Sequence, residues 1–225
     1  MLCEREVSTP LGPVRVSLTV DTGTEAVRTE TVVLPSGAEV VRWWTDTRLE
    51  VRCLLVRYDA VWNRLGPFTA EACWGVAWTV LAERETSPVT VRGRTPPGHI
   101  AGTAGGQDLI AVEVESPAWT LHIGGPDEVL LAALVESKDA PASWQGRFDV
   151  QAVAEHQDGV IWSYPPLQAR ETMTTHVAIA WAPTVPGDDV TTWLAVDTNP
   201  KRLLDYAGLT SAAPGPRGWR PVPRL

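Results

Sequence analysis

The chain has 225 residues, of which 44% are apolar and 20% charged, a composition that excludes a disordered, highly charged protein. Its formal net charge of −8 argues against a nucleic-acid-binding surface, because such surfaces need clustered Lys and Arg. No stretch reaches the roughly 18 consecutive apolar residues of a membrane-spanning helix, and the N-terminus lacks the layout of a signal peptide. We therefore expect a cytoplasmic protein that binds neither nucleic acid nor a membrane.

Alternation of apolar and polar residues dominates the sequence and predicts β-strands. Residues 14–20 and 26–34 are the first two candidates, and the turn residues between them predict a hairpin. Many short strands with 19 prolines and 18 glycines favour an all-β fold, an antiparallel sandwich or barrel. The other candidate strands are 39–44, 49–58, 70–81, 88–92, 109–115, 119–123, 147–155, 159–162, 175–181 and 190–196.

Two short helices are predicted. One begins at Pro126-Asp127-Glu128, where a proline at the first helical position and two acids suit the positive end of the helix dipole. The other runs over residues 200–207 and is closed by Gly208. Neither is long enough to define the fold.

The glycine- and proline-rich segment 93–107 is predicted to be a linker or long loop. It would separate an N-terminal β domain, residues 1–92, from a C-terminal β domain, residues 108–210. Residues 211–225 are rich in proline and glycine with little apolar periodicity, which predicts a flexible tail.

Three blocks between about residues 88 and 200 carry a resemblance to a known family. They are Leu-His-Ile-Gly-Gly-Pro-Asp-Glu-Val at 121–129, Ala-Ser-Trp-Gln-Gly at 142–146, and Ile-Trp-Ser-Tyr-Pro at 161–165 with the strand 175–181 that follows. In order and spacing these blocks resemble the bacterial domain of unknown function 427, which is labelled nucleotidyltransferase-like in name only. The resemblance implies a mostly antiparallel β domain related to the β-tent folds, sometimes present twice in tandem, so 1–92 is interpreted as a possible divergent repeat.

One departure from the family bears on chemistry. Its Cys-Pro-Trp-Lys-Gly block is represented here with Ala142 and Gln145 in place of the cysteine and lysine. Any family chemistry that needs that thiol or amine is therefore not expected in this chain. The family has no established activity to transfer, so the resemblance supplies a fold rather than a reaction.

Aromatic residues in these blocks are the candidate ligand-binding residues. Trp144, Trp162 and Tyr164 are predicted to line a concave pocket, where flat rings with a polar edge stack on a planar ligand. Core packing is the alternative, because 11 tryptophans against two phenylalanines make indole the ordinary core aromatic of this chain. His176 is the fourth candidate ligand-binding residue. It shares a strand face with Ala178 and Ala180 and points either into a cavity or to water, and we expect the latter.

His122, Asp127 and Glu128 are the candidate catalytic residues. Imidazole titrates near neutral pH and a nearby carboxylate orients it, which suits general acid–base chemistry. The alternative is that the two acids serve the first amides of the helix that starts there.

No metal or cofactor is predicted. The three cysteines and four histidines lack the close spacing of a metal site or a disulfide framework, and there is no phosphate-binding loop. The preferred hypothesis is a β protein that binds a small molecule or a protein partner through an aromatic surface. The alternatives are an enzyme of modest chemistry, an isomerase, cyclase or transferase that uses His122, and a structural domain that forms homo-oligomers.

Overall fold

Antiparallel strands in two sheets make up most of the structure, which confirms the predicted all-β sandwich. The computed structural model describes residues 1–21, 23–60, 64–65, 68–106, 109–137, 140–145, 152–186 and 190–209. Its helices are α1 (Glu128–Val135), α2 (Thr191–Ala195) and α3 (Pro200–Tyr206), with a 3-10 turn at Ala142–Trp144. Its strands are β1 (Leu2–Thr9), β2 (Gly12–Thr19), β3 (Arg28–Val33), β4 (Glu39–Trp44), β5 (Leu49–Arg57), β6 (Arg64–Leu65), β7 (Phe68–Thr69), β8 (Ala72–Ala82), β9 (Val89–Arg94), β10 (Gly102–Gly106), β11 (Leu109–Glu115), β12 (Trp119–Pro126), β13 (Val153–His156), β14 (Gly159–Tyr164) and β15 (Thr172–Pro183).

Thirteen of the strands form a five-stranded sheet in the order β1-β2-β9-β14-β13 and an eight-stranded sheet in the order β10-β11-β12-β15-β8-β5-β4-β3. The short strands β6 and β7 pair only with each other. Both sheets take strands from both sides of segment 93–107: β9 lies between β2 and β14, and β15 pairs with β8. That segment contains the end of β9 and all of β10, and it carries the chain from one sheet to the other. The predicted flexible tail, 211–225, lies outside the described residues.

The predicted hairpin of residues 14–20 with 26–34 is wrong. The first stretch lies in β2 and pairs with β1 and β9, whereas the second contains β3, which pairs with β4 at the edge of the other sheet. The reason is that β1 reaches β2 through a much tighter turn, where Thr9 is directly opposite Gly12. The turn after β2 therefore connects a strand of one sheet to a strand of the other and does not join two paired strands.

Two apolar clusters stabilise the two sheets. The larger core lies between them and contains Leu18, Val91 and Trp162 from one sheet with Trp78 and Ile179 from the other. A second cluster covers the outer face of the eight-stranded sheet, where residues 190–209 pack as a helical layer. Part of this face is built from small residues, among them Ala77, Ala178 and Ala180, and at Gly75 even a Cβ atom would collide with Leu203 of α3.

The helix predictions are partly correct. The second helix is confirmed as α3, and Gly208 follows it with a φ of 76°. The first helix exists, but it begins at Glu128, while Pro126 is the last residue of β12. The strand predicted over 190–196 is wrong, because Thr191, Thr192 and Ala195 instead bury one side of the short helix α2.

Candidate functional site

A cleft of about 310 Å³ lies between α1, β15 and the start of α3, and we call it the α1 cleft. Its walls are mainly apolar, and the polar side chains among them are all uncharged types. They come from the end of β12, from one side of α1, from the first residues of β15 and from the turn into α3. The lining residues are Pro126, Leu130, Leu131, Ala133, Leu134, Thr174, Thr175, His176, Asn199 and Pro200.

Helix α1 forms one wall of the cleft, and a cap stabilises its first turn. The side chain of Asp127 accepts a hydrogen bond of 2.8 Å from the backbone N–H of Leu130, and Glu128 lies in the first turn. Leu131 and Val135 are buried against the core, while Leu130 remains 39% exposed at the cleft. The structure thus gives Asp127 the helix-capping role that was the alternative to acid–base chemistry.

His176 lies at the wall of the α1 cleft and is 3% exposed, so the expectation that it points to water is wrong. The strand face was assigned correctly, but the helical layer covers that face. Burial lowers the pKa of His176 from 6.5 to about 4, although the hydrogen bond from its ring to the backbone carbonyl of Thr198 opposes the shift. The imidazole is therefore neutral at pH 7.

His122 lies on the same outer sheet face but is covered by α2. Its Nδ1 is 2.9 Å from the hydroxyl of Thr192, and its Nε2 is 3.9 Å from the carboxylate of Glu113. The side chain is 1% exposed and is not among the residues that line the α1 cleft. Its carboxylate neighbour is therefore Glu113, not Asp127 or Glu128.

Sequence reasoning missed Glu113 and Thr192. The contact of Glu113 with His122 could have been predicted from the sequence. The two residues are equidistant from the turn between β11 and β12, so they lie directly opposite each other in that hairpin. The contact of Thr192 with His122 could not have been predicted, since it depends on how the distant helix α2 packs on the sheet.

The three predicted aromatic residues fill the core. Trp144 stacks on Tyr164 with ring centroids 5.7 Å apart, and both rings are almost fully buried. Trp162 is fully buried and donates from Nε1 to the carbonyl of Pro126 over 2.8 Å. None of the three lines the α1 cleft, but the Tyr164 hydroxyl is hydrogen-bonded to that of Thr175, which does. Tyr164, with Trp144 stacked on it, therefore packs behind the part of the cleft wall that Thr175 forms.

Cys3, Cys53 and Cys73 are free and buried. Burial raises the pKa of Cys3 to about 12 and that of Cys73 to about 11, so these thiols stay protonated and are poor nucleophiles at neutral pH. Within the ranges given above, no group of three or more His, Cys, Asp or Glu side chains is placed to hold a metal ion. No helix in the described part of the chain has the length and apolarity to cross a membrane.

Comparison with known proteins gives a structural likeness without a family. No protein-family model matches the chain, and no curated protein matches it. The resemblance to the unknown-function family therefore stays a prediction. Among solved structures the chain is similar to one described as "Putative kojibiose phosphorylase from human microbiome", with 9% identity and a TM-score of 0.45. The match covers 92% of this chain and 30% of that one, so this chain corresponds to less than a third of that protein.

Proposed function

We propose that this protein binds a compact, neutral and mainly apolar small molecule in the α1 cleft. The observation that carries the proposal is His176, a buried and neutral imidazole in the wall of a mainly apolar cleft. Apolar cavities with a few polar groups and a titratable residue of shifted pKa are typical of ligand sites. The preferred sequence hypothesis, a binding module, is retained, but its site moves from the aromatic residues to this cleft.

The volume and the lining residues of the cleft indicate the size and polarity of the ligand. A volume of about 310 Å³ is near the lower end for ligand sites, which fits a molecule of up to about three rings. The lining has no Lys, Arg, Asp or Glu, so an ionic ligand would lose hydration without gaining a partner. Asn199 uses its side-chain oxygen to cap α3 by accepting from the N–H of Arg202, which leaves its NH2 group as a donor. A ligand with one carbonyl or hydroxyl oxygen suits this arrangement.

The other sequence hypotheses stay predictions. Acid–base catalysis by His122 would need a substrate to reach an imidazole that is covered by α2 and held between Thr192 and Glu113. A protein partner, a homo-oligomer and a cytoplasmic location each have weaker support. For the location, the support is the three free thiols, which are more usual in reducing compartments.

The proposal is tested with two fluorescent probes that share one ring system. N-phenyl-1-naphthylamine is neutral, and 8-anilinonaphthalene-1-sulfonate is the same molecule with one sulfonate. We expect the neutral probe to bind with a Kd below about 100 μM and the sulfonate to bind at least roughly tenfold more weakly. Equal binding of the two probes, or none, would contradict the proposal.

Two neighbouring alanines of α1 provide matched variants. Both are exposed, but Ala133 lines the cleft and Ala132 does not. Ala133→Trp should fill the cleft and weaken binding of the neutral probe by at least about tenfold. Ala132→Trp carries the same helix-propensity cost and should leave binding unchanged. A similar loss in both variants would place the probe elsewhere.

A further inference from the structure

Two arginines have an unusual backbone conformation. Among the described residues, the non-glycine residues with positive φ are Asp21 at 46°, Arg48 at 59° and Arg170 at 71°. Asp is one of the residue types that tolerate this left-handed region, because its short side chain makes local hydrogen bonds. Arginine has no such compensation. Its presence at both positions therefore costs folding free energy that glycine or asparagine would not.

Local turn chemistry explains the conformation but not the residue type. Arg48 closes the turn between β4 and β5, where its N–H donates to the Thr45 carbonyl over 3.2 Å. Arg170 lies in the turn before β15, where its N–H donates to the Ala82 carbonyl over 2.7 Å. Positive φ is usual at such turn ends, and glycine or asparagine usually occupies them. The guanidinium groups themselves are therefore the feature to explain.

Both arginines line one cleft of about 500 Å³, which we call the arginine cleft. Arg48 directly precedes β5 and Arg170 lies two residues before β15, and these two strands flank β8 on either side. Because β5 and β15 are two strand spacings apart, roughly 10 Å, we expect both arginine side chains to be able to reach one small ligand. The cleft is lined by Trp44, Thr45, Arg48, Leu49, Glu50, Leu81, Ala82, Glu83, Arg170, Glu171 and Thr172.

Two of the three carboxylates that line the cleft have partners outside it. Glu50 is 2.5 Å from the Arg52 guanidinium, and Glu171 accepts hydrogen bonds from the backbone N–H and hydroxyl of Ser143. Burial alone would raise the pKa of Glu171, but these donors, together with the backbone N–H groups of Gln168 and Ala142, outweigh it and lower the pKa, so the group stays ionised. Neither of these two acids forms an ion pair with Arg48 or Arg170 in the described part of the chain.

The guanidinium groups are much less engaged. Arg48 is paired with Glu83 at 3.4 Å, but the two side chains are 80% and 64% exposed, and such a pair contributes little. Arg170 forms no ion pair with any described residue, and it is exposed at the cleft. Guanidinium is the side chain best suited to bind carboxylate or phosphate through paired hydrogen bonds.

We propose that the arginine cleft binds a small anionic ligand through Arg48 and Arg170, whose guanidinium groups donate hydrogen bonds to its carboxylate or phosphate group. The backbone strain at both positions is retained because the turns place these side chains on either side of the cleft. This site is separate from the α1 cleft and does not depend on the function proposed for it.

Isothermal titration with inorganic phosphate and with citrate tests the proposal and distinguishes the two anion types. We expect at least one of them to bind with a millimolar or lower Kd. Arg48→Asn and Arg170→Asn should each weaken that binding at least about tenfold, since each removes one charged donor set. Arg84→Asn is the matched control, because Arg84 is exposed, lies next to Glu83 and does not line the cleft. It should bind like the wild type.

Thermal unfolding of the same variants gives an independent readout. Asparagine tolerates positive φ, so Arg48→Asn and Arg170→Asn should raise Tm by about 2–4 °C each while binding is lost. A gain of stability with loss of binding supports the proposal. It is overturned if neither anion binds, if the two variants bind as well as the wild type, or if Arg84→Asn loses binding to the same extent.

Discussion

The indole N–H of Trp162 donates to the backbone carbonyl of Pro126 over 2.8 Å, and both groups are buried. Trp162 belongs to β14 of the five-stranded sheet, and Pro126 ends β12 of the eight-stranded sheet. The bond is therefore a polar link across the apolar core of the sandwich. It also fixes the backbone immediately before the cap of α1, and so the position of the wall of the α1 cleft.

Trp162→Phe should destabilise the protein more than the same change at another buried tryptophan. It leaves the Pro126 carbonyl without its donor in addition to removing ring volume. Trp78 is the matched control, because it is also fully buried but its indole N–H has no hydrogen-bond partner among the described residues. We expect Trp162→Phe to cost about 1–3 kcal/mol more than Trp78→Phe. Urea unfolding measures the difference, and equal costs would show that the bond contributes nothing net.

Gly125→Ala tests how closely this region is packed. A Cβ on Gly125 would lie 2.7 Å from the Trp162 ring and 3.2 Å from the His176 carbonyl oxygen. Both neighbours are held by the core, so we expect a loss of about 1–3 kcal/mol. Gly102→Ala in β10 is the control, because a Cβ there would meet only the Glu113 carbonyl oxygen at 3.9 Å. Similar Tm values for the two variants would contradict the prediction.

Stability should fall on acidification because of His176. Its pKa is about 4 in the folded protein and 6.5 in the reference state, so between these values the unfolded chain binds more protons. The contribution is complete above about pH 6.5 and is lost as pH falls towards 4. The difference corresponds to about 3 kcal/mol at most.

The comparison of His176→Gln with wild type isolates this effect. Glutamine retains an amide donor for the Thr198 carbonyl but does not titrate, so the free energy of unfolding should depend less on pH between 6.5 and 4. His156→Gln, at an exposed position, should leave the wild-type slope unchanged. Urea unfolding at several pH values gives the slopes, and parallel curves for His176→Gln and wild type would exclude the assignment.

The parts of the structure that sequence predicted are those with local causes. The strand faces of β15 were assigned from alternation alone, and the cap role of Asp127 from its place before a helical run. What failed depends on contacts distant in sequence. His176 was expected at a solvated face because nothing in the alternation distinguishes a face open to water from one covered by another layer. Ala178 and Ala180 on that face carried the missed signal, since a row of small residues leaves room for a covering helix.

The helical layer over these small residues should be integral to the fold. Leu203 of α3 is fully buried at the position where Gly75 leaves space, and the Tyr58 hydroxyl donates to the Ala195 carbonyl over 2.7 Å. Leu203→Ala should therefore cost about 2–5 kcal/mol, because the rigid sheet below cannot collapse into the cavity. Lys201→Ala on the exposed side of the same helix should change stability by less than about 0.5 kcal/mol. Urea unfolding followed by tryptophan fluorescence measures both. If the layer were only loosely attached, Leu203→Ala would leave the main unfolding transition where it is in the wild type, and the role of this layer in positioning His176 and the turn into α3 would have to be abandoned.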